Sequence, residues 1–122
     1  ARIAYIITIE EKLDIPKDMI YAASILHDIG RFSIYEKDMG HRKAGPIIAR
    51  PILSRAGYSD KEQLEICDAI EKHGNYPKND EERTSLAGVL YRADKLSRNC
   101  FACYAYYECN WPRDKRNESV SI

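Results

Sequence analysis

The chain has 122 residues, with 19 Lys plus Arg against 19 Asp plus Glu and a formal net charge of zero. That length suffices for one domain with its own core, without disulfides or oligomerisation, although a homo-oligomer is compatible with it. Charge balance argues against nucleic acid as the main partner, because binding to phosphates needs a large positive excess. No apolar run approaches a membrane span and we read no signal peptide, so the expectation is a soluble cytoplasmic protein whose four cysteines are reduced.

The pattern is helical almost throughout. Ile3, Ile6, Ile7 and Leu13 mark a first helix that ends near Leu13, before Asp14-Ile15-Pro16. It enters in mid-pattern at Ala1 with no capping residue, as the later part of a longer helix. A second helix is expected from Lys17 to Asp28, with Ile20, Ala23, Ser24 and His27 on one stripe and Gly30 available to terminate it. Phe32 to Gly40 reads as a loop. A third helix spans about Arg42 to Ala56; Pro46 fits only its first turn, Pro51 must kink or split it, and Gly57 stops it. The fourth opens on the capping box Ser59-Asp60-Lys61-Glu62 and ends at Gly74. Asn75 to Glu82 reads as a polar loop, and a fifth helix covers Thr84 to Arg98. No strand signal appears, so the expected fold is all-α, one domain of about five core helices over residues 1–98. Residues 99–122 form an aromatic and sulfur-rich extension expected to pack on that domain, with a looser polar end.

The chemistry concentrates at helix ends. His27-Asp28 closes the second helix, and imidazole with carboxylate suits a divalent transition metal. His73 emerges from the buried stripe Ile66, Ile70 at the end of the fourth helix, His41 heads the third, and Asp94 leans inward from the fifth. An ionised carboxylate on an apolar stripe is costly unless paired or metal-bound. Taken singly, each residue has an ordinary explanation: a histidine at a helix end is commonly a cap, and Asp94 can pair with Arg92, Lys95 or Arg98. Together they use every histidine of the chain.

The segments Leu26-His27-Asp28-Ile29-Gly30-Arg31, Gly40-His41-Arg42-Lys43-Ala44-Gly45, Ile70-Glu71-Lys72-His73-Gly74-Asn75 and Ala93-Asp94-Lys95-Leu96 resemble the successive motifs of the HD superfamily of metal-dependent phosphohydrolases. They occur in the family's order. The resemblance implies an HD-type helical bundle, and a metal held by His27, Asp28 and Asp94. It also implies that His41 and His73 hold or complete a second metal, with Asp28 bridging, as in the dinuclear branch that includes hydrolases of diadenosine tetraphosphate and cyclic dinucleotides. The superfamily's first metal-binding His is expected on the first helix a few residues ahead of Ala1, outside this sequence. One or two divalent ions (Fe, Mn, Zn, Ni, Co or Mg) are the implied cofactor, and a small phosphorylated molecule, a nucleotide above all, the implied substrate. Asp28 and Arg31 are the implied catalytic residues, with Arg31 and Lys95 as phosphate-binding cations. Two other readings fit these residues: a metal-bearing module that senses a nucleotide without turnover, and an oxygen-activating di-iron enzyme on the same ligands.

Cys100, Cys103 and Cys109 present a C-x2-C step without a second pair, so packed free thiols are expected over a structural zinc site. The nine tyrosines are expected in helix packing rather than in base stacking.

Overall fold

A computed structural model describes residues 1–32 and 36–121, the side chain of Glu36 excepted. The described residues form seven α-helices and no strand: α1 Arg2–Glu10, α2 Lys17–Leu26, α3 Glu36–Met39, α4 His41–Arg55, α5 Asp60–Lys72, α6 Asp80–Thr84 and α7 Leu86–Leu96. The all-α expectation is met. None of these helices is long and apolar enough to cross a membrane.

Local chemistry explains the boundaries. Helix α1 stops a turn earlier than expected because Lys12 turns left-handed (φ 52°). The N–H groups of Lys12 and Leu13 then return to the carbonyls of Ile9 and Thr8, closing the helix end. Gly57 (φ 93°) ends α4 in the same way, with Gly57 and Tyr58 donating to Ser54 and Leu53. Helix α5 starts on the expected box: Ser59 accepts from the Glu62 N–H at 3.3 Å, and Glu62 Oε2 accepts from the Ser59 N–H at 2.7 Å.

Other boundaries differ from the sequence reading. Helix α2 closes at Leu26, and a 3-10 turn over Ile29–Phe32 follows, so Gly30 lies inside a turn rather than terminating a helix. The expected loop from Phe32 contains α3; its residues 33–35 lie outside the described ones. The loop from Asn75 contains α6, whose N-cap Asn79 accepts from the Glu82 N–H at 2.8 Å. Helix α4 runs unbroken with Pro46 and Pro51 both in its interior. Each proline deletes one helical donor. The loss is offset because Ala44, Gly45, Ala49 and Leu53 are buried, on a helix that packs chiefly against α5. Gly45 permits that approach, since a Cβ there would stand 2.8 Å from Ile70 Cγ2.

Ile20, Leu53, Ile66, Ile70 and Val89 are the largest fully buried side chains, drawn from α2, α4, α5 and α7. Each contributes about 1.5–3 kcal/mol by leaving water. Glu11, just past α1, ties this core to α6 and α7: its carboxylate accepts from Arg83 at 2.7 Å and from both terminal nitrogens of Arg92 at 2.6 and 3.0 Å.

The tail is fastened chiefly by polar groups, with one of its expected aromatics, Trp111, lying against the Arg98 guanidinium at 4.0 Å from the ring centroid. Asn117 Nδ2 donates to the carbonyls of Lys95 and Arg98 at 2.8 and 2.9 Å, covering acceptors that the end of α7 leaves open. Arg116 gathers the carbonyls of Tyr106, Cys109 and Trp111. Tyr104 and Tyr107 stand fully in solvent, and among the described residues none beyond Leu96 joins the apolar core. All four cysteines are free.

Candidate metal centre

Helix termini build the centre. A helix end leaves its last carbonyls without partners, and a histidine placed there can use one of them. His27, the C-cap of α2, places Nδ1 2.7 Å from the Ser24 carbonyl, and His73, the C-cap of α5, places Nδ1 on the Ile70 carbonyl. A carbonyl only accepts, so both rings carry the proton on Nδ1 and present the Nε2 lone pair. His41 is the first residue of α4, set by Gly40 at φ 78°, a conformation that favours glycine. The 3-10 turn after Asp28 lies directly on that helix start. A Cβ on Gly30 would meet the His41 carbonyl oxygen at 2.0 Å and the Gly45 nitrogen at 2.8 Å. The missing side chain therefore brings His41 beside Asp28. Arg42 donates to Asn75 Oδ1 at 2.7 Å and fastens the same helix start to the segment after His73.

The three imidazoles converge on one carboxylate. Asp28 Oδ1 stands 3.6 Å from His41 Nε2 and 3.6 Å from His73 Nε2, while Asp28 Oδ2 stands 3.6 Å from His27 Nε2. His27 Nε2 is also 3.9 Å from Asp94 Oδ1. The floor is closed and the mouth open: the His73 side chain is 7% exposed and that of Asp28 39%.

These spacings test whether a metal fits. They are too long for hydrogen bonds. Two ligands sharing one ion with bonds of about 2.1 Å stand about 3.0–3.4 Å apart, close to what is seen. Asp28 Oδ1 is shielded from water and accepts no hydrogen bond; its one cationic neighbour, Arg31 Nε at 3.0 Å, lacks hydrogen-bond geometry, so the lone pairs of this buried anionic oxygen remain available to an ion. Burial pushes the His73 pKa down, favouring the neutral ring. Burial would push Asp94 up, but the hydrogen bond and charge of Lys95, with the charge of Arg98, outweigh it and hold its carboxyl below the usual value. Neutral imidazole and ionised carboxylate are the metal-binding forms. The donor set fits a divalent ion.

All five ligand candidates named from the sequence, His27, Asp28, His41, His73 and Asp94, meet here. The tightest group is His27, Asp28 and His73, whose ligand atoms lie within 4.8 Å of one another; Asp94 joins through His27 and His41 through Asp28. His73 is thus central, its ring centroid 5.1 Å from that of His27 and 5.9 Å from that of His41. Arg31 reaches Asp28 Oδ1 with Nε at 3.0 Å, in an ion pair without hydrogen-bond geometry. Lys95 donates to Asp94 Oδ2 at 2.9 Å and lies over the Tyr91 ring. The sequence reading missed Gly30 as a contact point, the orienting carbonyls of Ser24 and Ile70, and the Arg42–Asn75 tie. Only Gly30 carried a visible signal. Among the described residues no thiol belongs to a metal-capable group.

A cavity of about 240 Å³ opens onto His27 and Asp94, between the start of α1, α2 and α7, with Ile3, Ser24, Leu90 and Ala93 in its walls. A larger concavity between α5, α6 and α7 carries none of the five side chains.

A helical domain with a histidine–carboxylate centre at its helix ends is one class of metal-binding fold. The HD domain family model matches residues 1–99, and the chain belongs to the HD domain family. It is 40% identical over 120 residues to an uncharacterized protein of Clostridium beijerinckii, a match covering 98% of this chain and 73% of that protein. No solved structure matches at a significant level. The family places the chain in a superfamily of metal-dependent hydrolases that bind divalent ions.

Proposed function

We propose that the protein is a metal-dependent phosphohydrolase acting on a nucleotide or another small phosphate ester or anhydride, through a centre of two divalent ions. The observation that carries this reading is the division of the Asp28 carboxylate: Oδ1 faces His41 and His73, and Oδ2 faces His27. A carboxylate so divided is suited to bridging two ions, one held with His27 and Asp94, the other with His41 and His73.

Bound ions would supply a water of lowered pKa and neutralise phosphate charge. The chain's own groups do the rest. The Ser24 and Ile70 carbonyls fix the imidazoles, so the ligands need no reorganisation. Lys95 holds Asp94 ionised from its outer oxygen. Arg31, half exposed at the mouth, offers a guanidinium fork that grips a phosphate in two places.

The test is turnover by metal-depleted protein reconstituted with Mn, Fe, Co, Ni, Zn or Mg, assayed with nucleotides, dinucleotide polyphosphates and p-nitrophenyl phosphate. Release of phosphate or nucleoside phosphate that Asp28→Ala abolishes is the expected result. Tight nucleotide binding with no turnover under any metal would overturn the enzyme reading in favour of a sensor.

A further inference from the structure

We infer that Arg31 is an internal cation that closes the His41–His73 half of the centre in the metal-free chain, so that the two halves load in sequence. This rests on the two-ion reading above.

Two basic side chains touch the two carboxylates of the centre, and they do so differently. Lys95 Nζ takes Asp94 Oδ2 and leaves Asp94 Oδ1 to face His27. Arg31 Nε sits at 3.0 Å on Asp28 Oδ1, the same oxygen that faces His41 and His73. Lys95 therefore supports its half-site from behind, while Arg31 stands in front of the other. The placement follows from local structure. A 3-10 turn has three residues per repeat, so side chains three apart eclipse one another. The Arg31 N–H closes on the Asp28 carbonyl at 3.0 Å, and the guanidinium is laid over the Asp28 carboxylate by that turn. Arginine stays charged at any working pH and repels a second cation at the same oxygen. Its hold is weak, because the contact lacks hydrogen-bond geometry and the side chain is half exposed. It is a displaceable guard, and once displaced from Asp28 it is free for phosphate.

Titration of the metal-free protein with Co2+ tests this, followed by calorimetry and by the visible absorption of bound Co2+, neither of which depends on turnover. The parent is expected to bind one equivalent tightly and a second weakly. Arg31→Ala should tighten the second step about two- to fivefold and leave the first unchanged, as removal of a half-exposed competing ion pair predicts. Arg31→Lys, which keeps the charge, should stay close to the parent, and His41→Ala should lose the second step. Circular dichroism melts establish that each variant is folded. A second step in Arg31→Ala that is unchanged or weaker overturns this inference alone. A single equivalent in both proteins, or no uptake by either, overturns it together with the two-ion reading.

Discussion

Gly30→Ala separates a packing explanation of the centre from a purely chemical one. The added methyl would stand 2.0 Å from the His41 carbonyl oxygen and 2.8 Å from the Gly45 nitrogen, where real contacts do not fall below 3.0 Å. Both neighbours are backbone, so no side chain can rotate away. The turn and the start of α4 must part by about 1 Å, the gap between 2.0 and 3.0 Å. Overpacking of this kind costs about 3 kcal/mol, and the loss of backbone freedom in the unfolded alanine chain returns about 0.7 kcal/mol. The expected net loss of about 2 kcal/mol lowers the melting temperature by roughly 8 °C for a domain of this size. Because His41 rides on the displaced segment, its 3.6 Å approach to Asp28 opens. Binding of the ion it helps to hold should weaken by about tenfold or more, as when a supporting group of a metal ligand is lost. Gly45→Ala is the comparison, a smaller clash with one buried side chain in place of two backbone atoms, and is expected to lose less. Its methyl meets only Ile70 Cγ2, at 2.8 Å, and alanine gains about 0.5–1 kcal/mol over glycine inside a helix. The assays are thermal unfolding by circular dichroism and Co2+ titration. A Gly30→Ala protein that melts within about 2 °C of the parent and keeps its metal affinity would refute the argument. So would a Gly45→Ala protein that loses as much.

Three further outcomes are expected. Hydrogen bonding from Arg92, reinforced by Arg83, outweighs burial and holds the Glu11 carboxyl below its ordinary value of 4.5. A depressed folded pKa gives stability that is full above the ordinary value and lost as pH falls through the folded one. Glu11→Gln should therefore cost about 1–2 kcal/mol in urea unfolding at neutral pH, with the gap closing under acid; a gap independent of pH contradicts the ion-pair account. Cys100, Cys103 and Cys109 should react readily with a dithiobenzoate reagent while Cys67 stays slow, because Cys67 is buried and burial pushes its thiol pKa up; equal rates for all four in the folded protein would contradict this. Asn117→Ala uncovers the carbonyls at the end of α7 and should speed tryptic cleavage after Arg98, while costing only about 1 kcal/mol; an unchanged cleavage rate would show that something else holds the tail.

Much of the molecule was legible in its sequence because the signals are local. Apolar spacing, the Ser59–Glu62 box and the stop at Gly57 act within one or two turns, and they mark α5 and the end of α4. The candidate ligands were legible for a similar reason: His27, His73 and Asp94 each extend an apolar stripe of their own helix, which points them inward. What the stripes do not contain is how the helices meet. That Asp28 divides its two oxygens, that His73 lies between His27 and His41, and that Arg31 takes one carboxylate oxygen while Lys95 takes the outer oxygen of another are results of packing. The unbroken α4 is a result of the same kind, since burial of Ala44, Ala49 and Leu53 offsets two prolines that local rules would not allow. Asn117 shows the reverse case, a polar residue with no sequence signal that fastens the tail through carbonyls about twenty residues away. Local rules choose the helices and the faces they bury. Packing of the ends of α2 and α5 joins His27 and His73 at Asp28, and the close contact of α4 with the turn at Gly30, set by a missing methyl group, adds His41 to them.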